Sequence, residues 1–209
     1  RGAEAGEKDK EAEKDFEYLK AKIEAADMPP HAKETALKSF KKLSTAGPLD
    51  HDGPKIRAWL EWMTELPWSK RSEDRLDVKK ASEILDRDHF GLDTVKQRVL
   101  EFLAVRKKTG SKKGAILAFV GPPGTGKTSI AADIAQSLER KFVRLSLGGV
   151  ADEVELRGHS RTYVGSQPGS IIRQMRAAGT VNPVMLLDEV DKMSDSAKGS
   201  PTAALLEIL

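Results

Sequence analysis

The stretch GPPGTGKTS, Gly121–Ser129, follows directly on the apolar run AILAFV, Ala115–Val120. Gly121, Gly124, Gly126, Lys127 and Thr128 fit the pattern G-x-x-x-x-G-K-[ST], and they sit where that pattern has meaning, after a buried-strand signal and before a helical one. Each residue type has a reason. The glycines let the backbone curl until successive N–H groups point inward at a phosphate, Lys127 reaches the outer phosphate oxygens, and the Thr128 hydroxyl suits one position around magnesium. Pro122, Pro123, Thr125 and Ser129 complete the loop, so the whole of Gly121–Ser129 is the candidate nucleotide grip, with ATP and Mg2+ as the expected cofactors.

Working outward, Val184-Met185-Leu186-Leu187-Asp188-Glu189 supplies a second half to that site. Its apolar residues predict a strand, whose two carboxylates then stand at the C-terminal edge of a sheet, where ligands bind in open α/β folds. Asp188 is the candidate for the magnesium shell and Glu189 for polarising an attacking water. With Lys127 these make a hydrolysing site rather than a kinase. Apolar runs at Ala115–Val120, Phe142–Leu147 and Val184–Leu187 alternate with helical stretches, which predicts a parallel sheet covered by helices on both faces.

Nearer the start the apolar period becomes helical. Phe16, Leu19, Ile23 and Ala26 form one stripe that Pro29-Pro30 interrupts. A second helix is expected over His31–Leu43 with Ala36, Leu37 and Phe40 inward. A third follows Asp52-Gly53-Pro54, carries Ile56, Trp59, Leu60 and Met63 on one face, and ends at Leu66-Pro67-Trp68. Residues 1–15 are almost all Glu, Lys, Asp, Ala and Gly, so frayed helix or disorder is expected there. Helices near Val78–Leu85 and Leu92–Arg106 flank the loop Asp88-His89-Phe90-Gly91. The expected organisation is a helical lobe over residues 1–68 and an α/β subdomain over residues 69–209. Both ends look cut, since no methionine precedes Arg1 and Ala203–Leu209 is a helical pattern without a stop signal.

Composition narrows the function classes. Hydrophobic residues make up 39% of the chain, enough for a real core. No apolar run approaches the roughly 18 residues of a membrane span. The absence of cysteine excludes disulfides and thiolate zinc sites. Thirty-five basic against 32 acidic residues leave +3, with the signs interspersed rather than gathered on a nucleic-acid face. Lys107-Lys108 and Lys112-Lys113 around Gly110 read as a solvated basic loop.

Five stretches beyond the phosphate loop carry a resemblance: Leu66-Pro67-Trp68, ILDRDHFGL at Ile84–Leu92, SLGGV at Ser146–Val150, ELRGH at Glu155–His159 and LDEVDKM at Leu187–Met193. Over about residues 16–209 the chain resembles the AAA+ ATPases and, among them, the Lon family of ATP-dependent serine proteases. The resemblance implies a P-loop NTPase (AAA+) α/β fold, a parallel sheet with flanking helices preceded by a small all-α lobe. It implies a homohexameric ring in which ATP hydrolysis drives unfolding and translocation of unfolded or damaged protein substrates to a proteolytic domain. Incidental DNA binding stays open beside it, and no membrane partner is expected. The setting it implies is the bacterial cytoplasm, or the mitochondrial matrix in a eukaryote. The family's arginine finger, sensors, helical lid and Ser-Lys dyad would then lie beyond Leu209, so the chain carries the ATPase module and not the peptidase.

Two further sites come with the resemblance. His89, Phe90 and Gly91 fall where AAA+ proteins place an adenine-contacting loop, and an apolar ring beside a backbone turn suits a base; core packing of Phe90 is the alternative. Tyr163, Val164 and Gly165 match the aromatic, aliphatic, glycine order of the family's substrate-gripping pore loop; a core tyrosine is the alternative. They lie in the long connection Gly148–Gly169, which a compact domain rarely keeps without a use. A second loop over Ser194–Ser200 lacks the aromatic that some relatives carry there. Two other readings stay open. An AAA+ motor acting on nucleic acid predicts a basic stripe, and a nucleotide-gated assembly module is one that Glu189 argues against.

Overall fold

Alanine, glutamate and lysine are strong helix formers, and helix α1 (Gly2–Ala25) runs through the whole opening stretch where fraying or disorder was expected. Among the described side chains of α1, Phe16 is the first that packs on the core. The computed structural model describes residues 2–45, 51–73, 75–110, 116–163, 165–194 and 199–209, with side chains in α1 described from residue 13 onward. Helices α2 (Pro30–Thr45) and α3 (Gly53–Glu65) complete a three-helix cluster with α1. Leu19, Ile23, Met28, Ala32, Ala36, Leu43 and Leu60 are buried in it, and Phe16, Phe40, Trp59 and Met63 close its margin.

Leu37 corrects the expected inward face of α2, since it is 37% exposed beside a fully buried Ala36. The methyl of Ala36 lets neighbouring helices approach closely, so the contact line runs through Ala32, Ala36 and Leu43. Leu37, about 100° further round the helix, falls on the rim.

By contacts the chain divides into two compact units. One gathers the described residues of Arg1–Lys70, Asp152–Val181 and Asp195–Leu209, and the other those of Arg71–Ala151 and Asn182–Ser194. Within the first unit, helix α7 (Glu153–Arg157) packs against α8 (Ser170–Ala178) and α9 (Pro201–Ile208). The connection Gly148–Gly169 is thus not structureless. It holds α7, started by Asp152 accepting the Val154 N–H at 2.9 Å, and an antiparallel bridge between Gly158 and Pro168.

In the second unit, α4 (Val78–Asp88), α5 (Asp93–Thr109) and α6 (Lys127–Ser137) surround Ala81, Leu85, Val99, Leu103, Ile130, Ile134 and Leu138. Asp77 caps α4 through the Lys79 N–H at 3.0 Å. Strands β1 (Phe142–Ser146) and β2 (Val184–Asp188) pair in parallel, with Phe142 opposite Val184 and Ser146 opposite Asp188, and α6 packs on both.

The strand expected at Ala115–Val120 is corrected: residues 116–120 run as irregular chain, and Ala115 lies outside the described residues. Apolar residues become a strand only where a neighbouring edge takes their N–H and C=O groups, and here β1 and β2 pair with each other. Phe119 packs on the α4–α6 cluster, while Ile116 and Val120 are 68% and 98% exposed. Among the described residues no helix is long and apolar enough to cross a membrane.

Candidate functional site

The phosphate loop closes on itself through its own side chains. Lys127 Nζ donates to the carbonyls of Gly121 at 2.8 Å and Pro122 at 2.6 Å, and Thr125 Oγ1 donates to Pro122 O at 3.0 Å. Gly124 and Gly126 take φ of +79° and +84°, a region that side chains with a Cβ rarely adopt. Gly126 is the N-cap of α6 and no side chain caps that end. The first N–H groups of the helix therefore have no partner within it, and its positive end faces the loop. Ser129 Oγ donates back to Gly126 O at 2.9 Å, and Thr128 sits half-buried beside it. An uncapped helix start, a curled glycine backbone with open space at Gly124, and an ammonium at the mouth form a donor set that fits a polyphosphate.

One turn further along α6 stands the support of this loop. His89 Nε2 donates to Asp133 Oδ2 at 2.7 Å, and both residues are buried, at 8% exposure each. The imidazole lies directly behind Gly126, where an added Cβ would stand 3.5 Å from His89 Nδ1. The turn after α4 is thereby fastened to the helix that begins at the phosphate loop. Phe90 points fully into solvent, and Gly91 takes φ of +68°. Of the three expected adenine-contacting residues, His89 is engaged from within and Phe90 presents a free apolar ring.

The acidic pair stands at the C-terminal end of β2. Asp188 Oδ2 accepts from Arg144 Nε at 3.0 Å and Nη2 at 2.8 Å, and its Oδ1 accepts the Glu189 N–H at 3.0 Å. Glu189 adopts φ of +59°, unusual for a residue with a side chain. Its carboxylate pairs with Lys192 and accepts from Ser146 Oγ at 3.2 Å. Gly148 lies under that carboxylate, where an added Cβ would force the Glu189 side chain to shift. The Lys192 ammonium, helped by Ser146, holds the Glu189 carboxyl below the usual carboxylate range, and Glu189 in turn raises Lys192. Glu189 is thus ionised at neutral pH, as acceptance of a proton requires. Asp188, accepting from Arg144 while its oxygens remain partly exposed, has the hard oxygen chemistry that magnesium takes.

Sequence comparison agrees with this geometry. Residues 117–209 match the family model "ATPase family associated with various cellular activities (AAA)", and residues 71–153 match the PrkA AAA domain. The chain is 54% identical to the Lon protease of Heliobacterium modesticaldum over 99% of its length, 53% identical to Lon protease 1 of Bacillus subtilis over 93%, and 50% identical to the Lon protease of Escherichia coli K12 over 99%.

The chain belongs to the Lon family.

It spans about a quarter of the length of these curated relatives, covering 25% of the first two and 26% of the third. As an AAA domain of the Lon family it is a nucleotide-binding α/β module. Tyr163 and Gly165 belong to the unit that holds α7 to α9, and Val164 lies outside the described residues. Tyr163 is 66% exposed at the tip of the bridge-closed loop, where its N–H donates to Ser160 O at 3.1 Å and its carbonyl accepts the Ser166 N–H at 3.2 Å.

Sequence reading assigned no role to Asp133, Arg144, Ser146 or Lys192, though Ser146 and Lys192 stand in stretches that carry the resemblance. The signal for Asp133 was present, a lone carboxylate within the apolar stretch Ile130–Ala135 of the helix. Replacing Asp133 with alanine leaves the buried His89 N–H without an acceptor. The expected cost is about 1–3 kcal/mol of stability, read by denaturant unfolding, with nucleotide affinity falling in parallel as the start of α6 loosens. An unchanged midpoint would show that the pair does not brace the loop.

Proposed function

We propose that this chain is the ATP-binding and ATP-hydrolysing part of an ATP-dependent Lon-type serine protease, in which hydrolysis drives unfolding and translocation of protein substrates to a proteolytic domain. The observation that carries this reading is the ionised Glu189, held by Lys192 and Ser146 at the end of the strand beside the helix that begins at the phosphate loop. That is the equipment for activating a water, which a nucleotide-gated assembly module does not need.

The roles follow from the chemistry of each group. The backbone N–H groups of Gly121–Ser129 bind phosphate oxygens, and Lys127 neutralises charge on them, exchanging its carbonyl partners Gly121 and Pro122 for the ligand. Thr128 and Asp188 would hold Mg2+, whose charge screens the phosphates against an incoming nucleophile. Glu189 orients the water and takes its proton. Phe90 offers a face for the base, with His89 and Gly91 shaping the turn that carries it.

Tyr163, with Val164 and Gly165, grips the threaded polypeptide, since an exposed aromatic gives large contact area at small entropic cost. We further propose domains over residues 1–68 and 69–209, a homohexamer in the intact protein, unfolded or damaged proteins as substrates, and a cytoplasmic setting. The interspersed charges give no support to a nucleic-acid motor.

Tyr163→Ala in the intact protein tests the step from ATPase to translocase. Degradation of a stably folded substrate should fall by an order of magnitude or more while ATP turnover persists, because the ring is not among the phosphate-binding groups. A parallel loss of ATPase and of thermal stability would assign Tyr163 to the core instead.

A further inference from the structure

Trp59, Trp62 and Glu65 form one stripe along α3, and each is engaged by an arginine from the segment Asp152–Val181. The guanidinium of Arg176, on α8, lies 4.0 Å from the Trp62 ring centroid and also pairs with Glu65. The guanidinium of Arg161 lies 5.4 Å from the Trp59 ring centroid. All these residues belong to one compact unit.

Their spacing gives the two contacts different characters. Arg176 has an aromatic face and a carboxylate together and anchors α8. Arg161 has the aromatic face alone, on an exposed side chain, and it stands two residues before Tyr163. The stem of that loop is closed independently, by the Gly158 to Pro168 bridge and by the His159 N–H donating to Gln167 O at 3.0 Å. The Trp59 contact therefore acts on the tip and not on the stem. Trp59 packs at the margin of the three-helix cluster, so its ring is oriented by that core.

We propose that Trp59 is a positioning residue for the loop tip that carries Tyr163, acting through Arg161, so that the helical lobe sets where the aromatic grip is presented. The functional half of this rests on the reading of Tyr163 as a substrate grip; the structural half does not.

Chymotrypsin gives a readout independent of activity, because it cleaves after Tyr163. In the full-length protein, Trp59→Leu and Arg161→Gln both leave the bond after Tyr163 unchanged. The second removes only the cation of an exposed loop side chain and leaves the lobe's fold intact. An exposed cation–π contact holds its partner about two- to five-fold. Cleavage after Tyr163, followed by mass spectrometry, should accelerate by about that factor in both variants, with cleavage after the exposed Phe90 unchanged and Trp59→Phe close to wild type. Degradation of a folded substrate should fall while ATP turnover at saturation stays level. Unchanged cleavage in Arg161→Gln overturns the proposal. Faster cleavage with undiminished degradation overturns the positioning role whenever Tyr163→Ala, measured alongside, abolishes degradation. If Tyr163→Ala is also harmless, the grip reading is what fails, and faster cleavage still supports Trp59 as the residue that holds the tip.

Discussion

Glu189→Gln in the full-length protein is expected to lower ATP turnover by about 10²–10⁴-fold, the range a positioned general base contributes. The amide keeps the size of the side chain and can still accept from Ser146 Oγ, so the geometry at the end of β2 survives. What is lost is the negative charge: the pairing with Lys192 weakens, and no group remains there to accept a proton from water. Nucleotide affinity should stay within a few-fold of wild type, because the groups proposed to bind phosphate at Gly121–Ser129 are untouched. The discriminating measurement is binding of a fluorescent ATP analogue beside the steady-state rate. Retained turnover would return Glu189 to the role of an acidic residue at the end of a strand.

Gly169→Ala should break the stem of the Tyr163 loop. A Cβ at that position would fall on the Leu156 carbonyl, and both neighbours in the clash are backbone, which cannot swing aside as a flexible side chain would. Gly158 faces it across the bridge with φ of +89°, and a Cβ there would lie 2.6 Å from the Gly169 N. Overpacking of this kind costs about 1–3 kcal/mol where side chains can adjust, and the upper end or beyond is expected where only backbone can move. The substitution should separate α7 from α8, seen as a lower unfolding midpoint and as rapid proteolysis within 158–168. Normal stability would mean that the stem opens at little cost.

The curled glycine turn before α6 could be read from the sequence because it demands particular residues at fixed local spacing, and the same holds for α2 and α3, whose stripes lie within single helices. Apart from Lys192, three positions from its partner Glu189, what escaped reading pairs residues far apart in the chain: His89 with Asp133, 44 positions apart, Arg144 with Asp188, also 44, and Ser146 with Glu189, 43. No local period encodes such pairs. Ala115–Val120 failed for a related reason, since being a strand depends on an edge supplied from elsewhere. Leu37 failed because one small neighbour, Ala36, moved the contact line between helices by a single position.

The two bonds from Lys127 to the carbonyls of Gly121 and Pro122 turn the phosphate loop into a non-covalent macrocycle, tied at the residue where α6 begins. Chain segments that must be ordered by their ligand pay that entropy in affinity; a ring closed during folding does not. On the function proposed above, the cradle would meet a phosphate as a formed host, and capture would be a swap of oxygen partners at one ammonium, with the rest of the loop already in register.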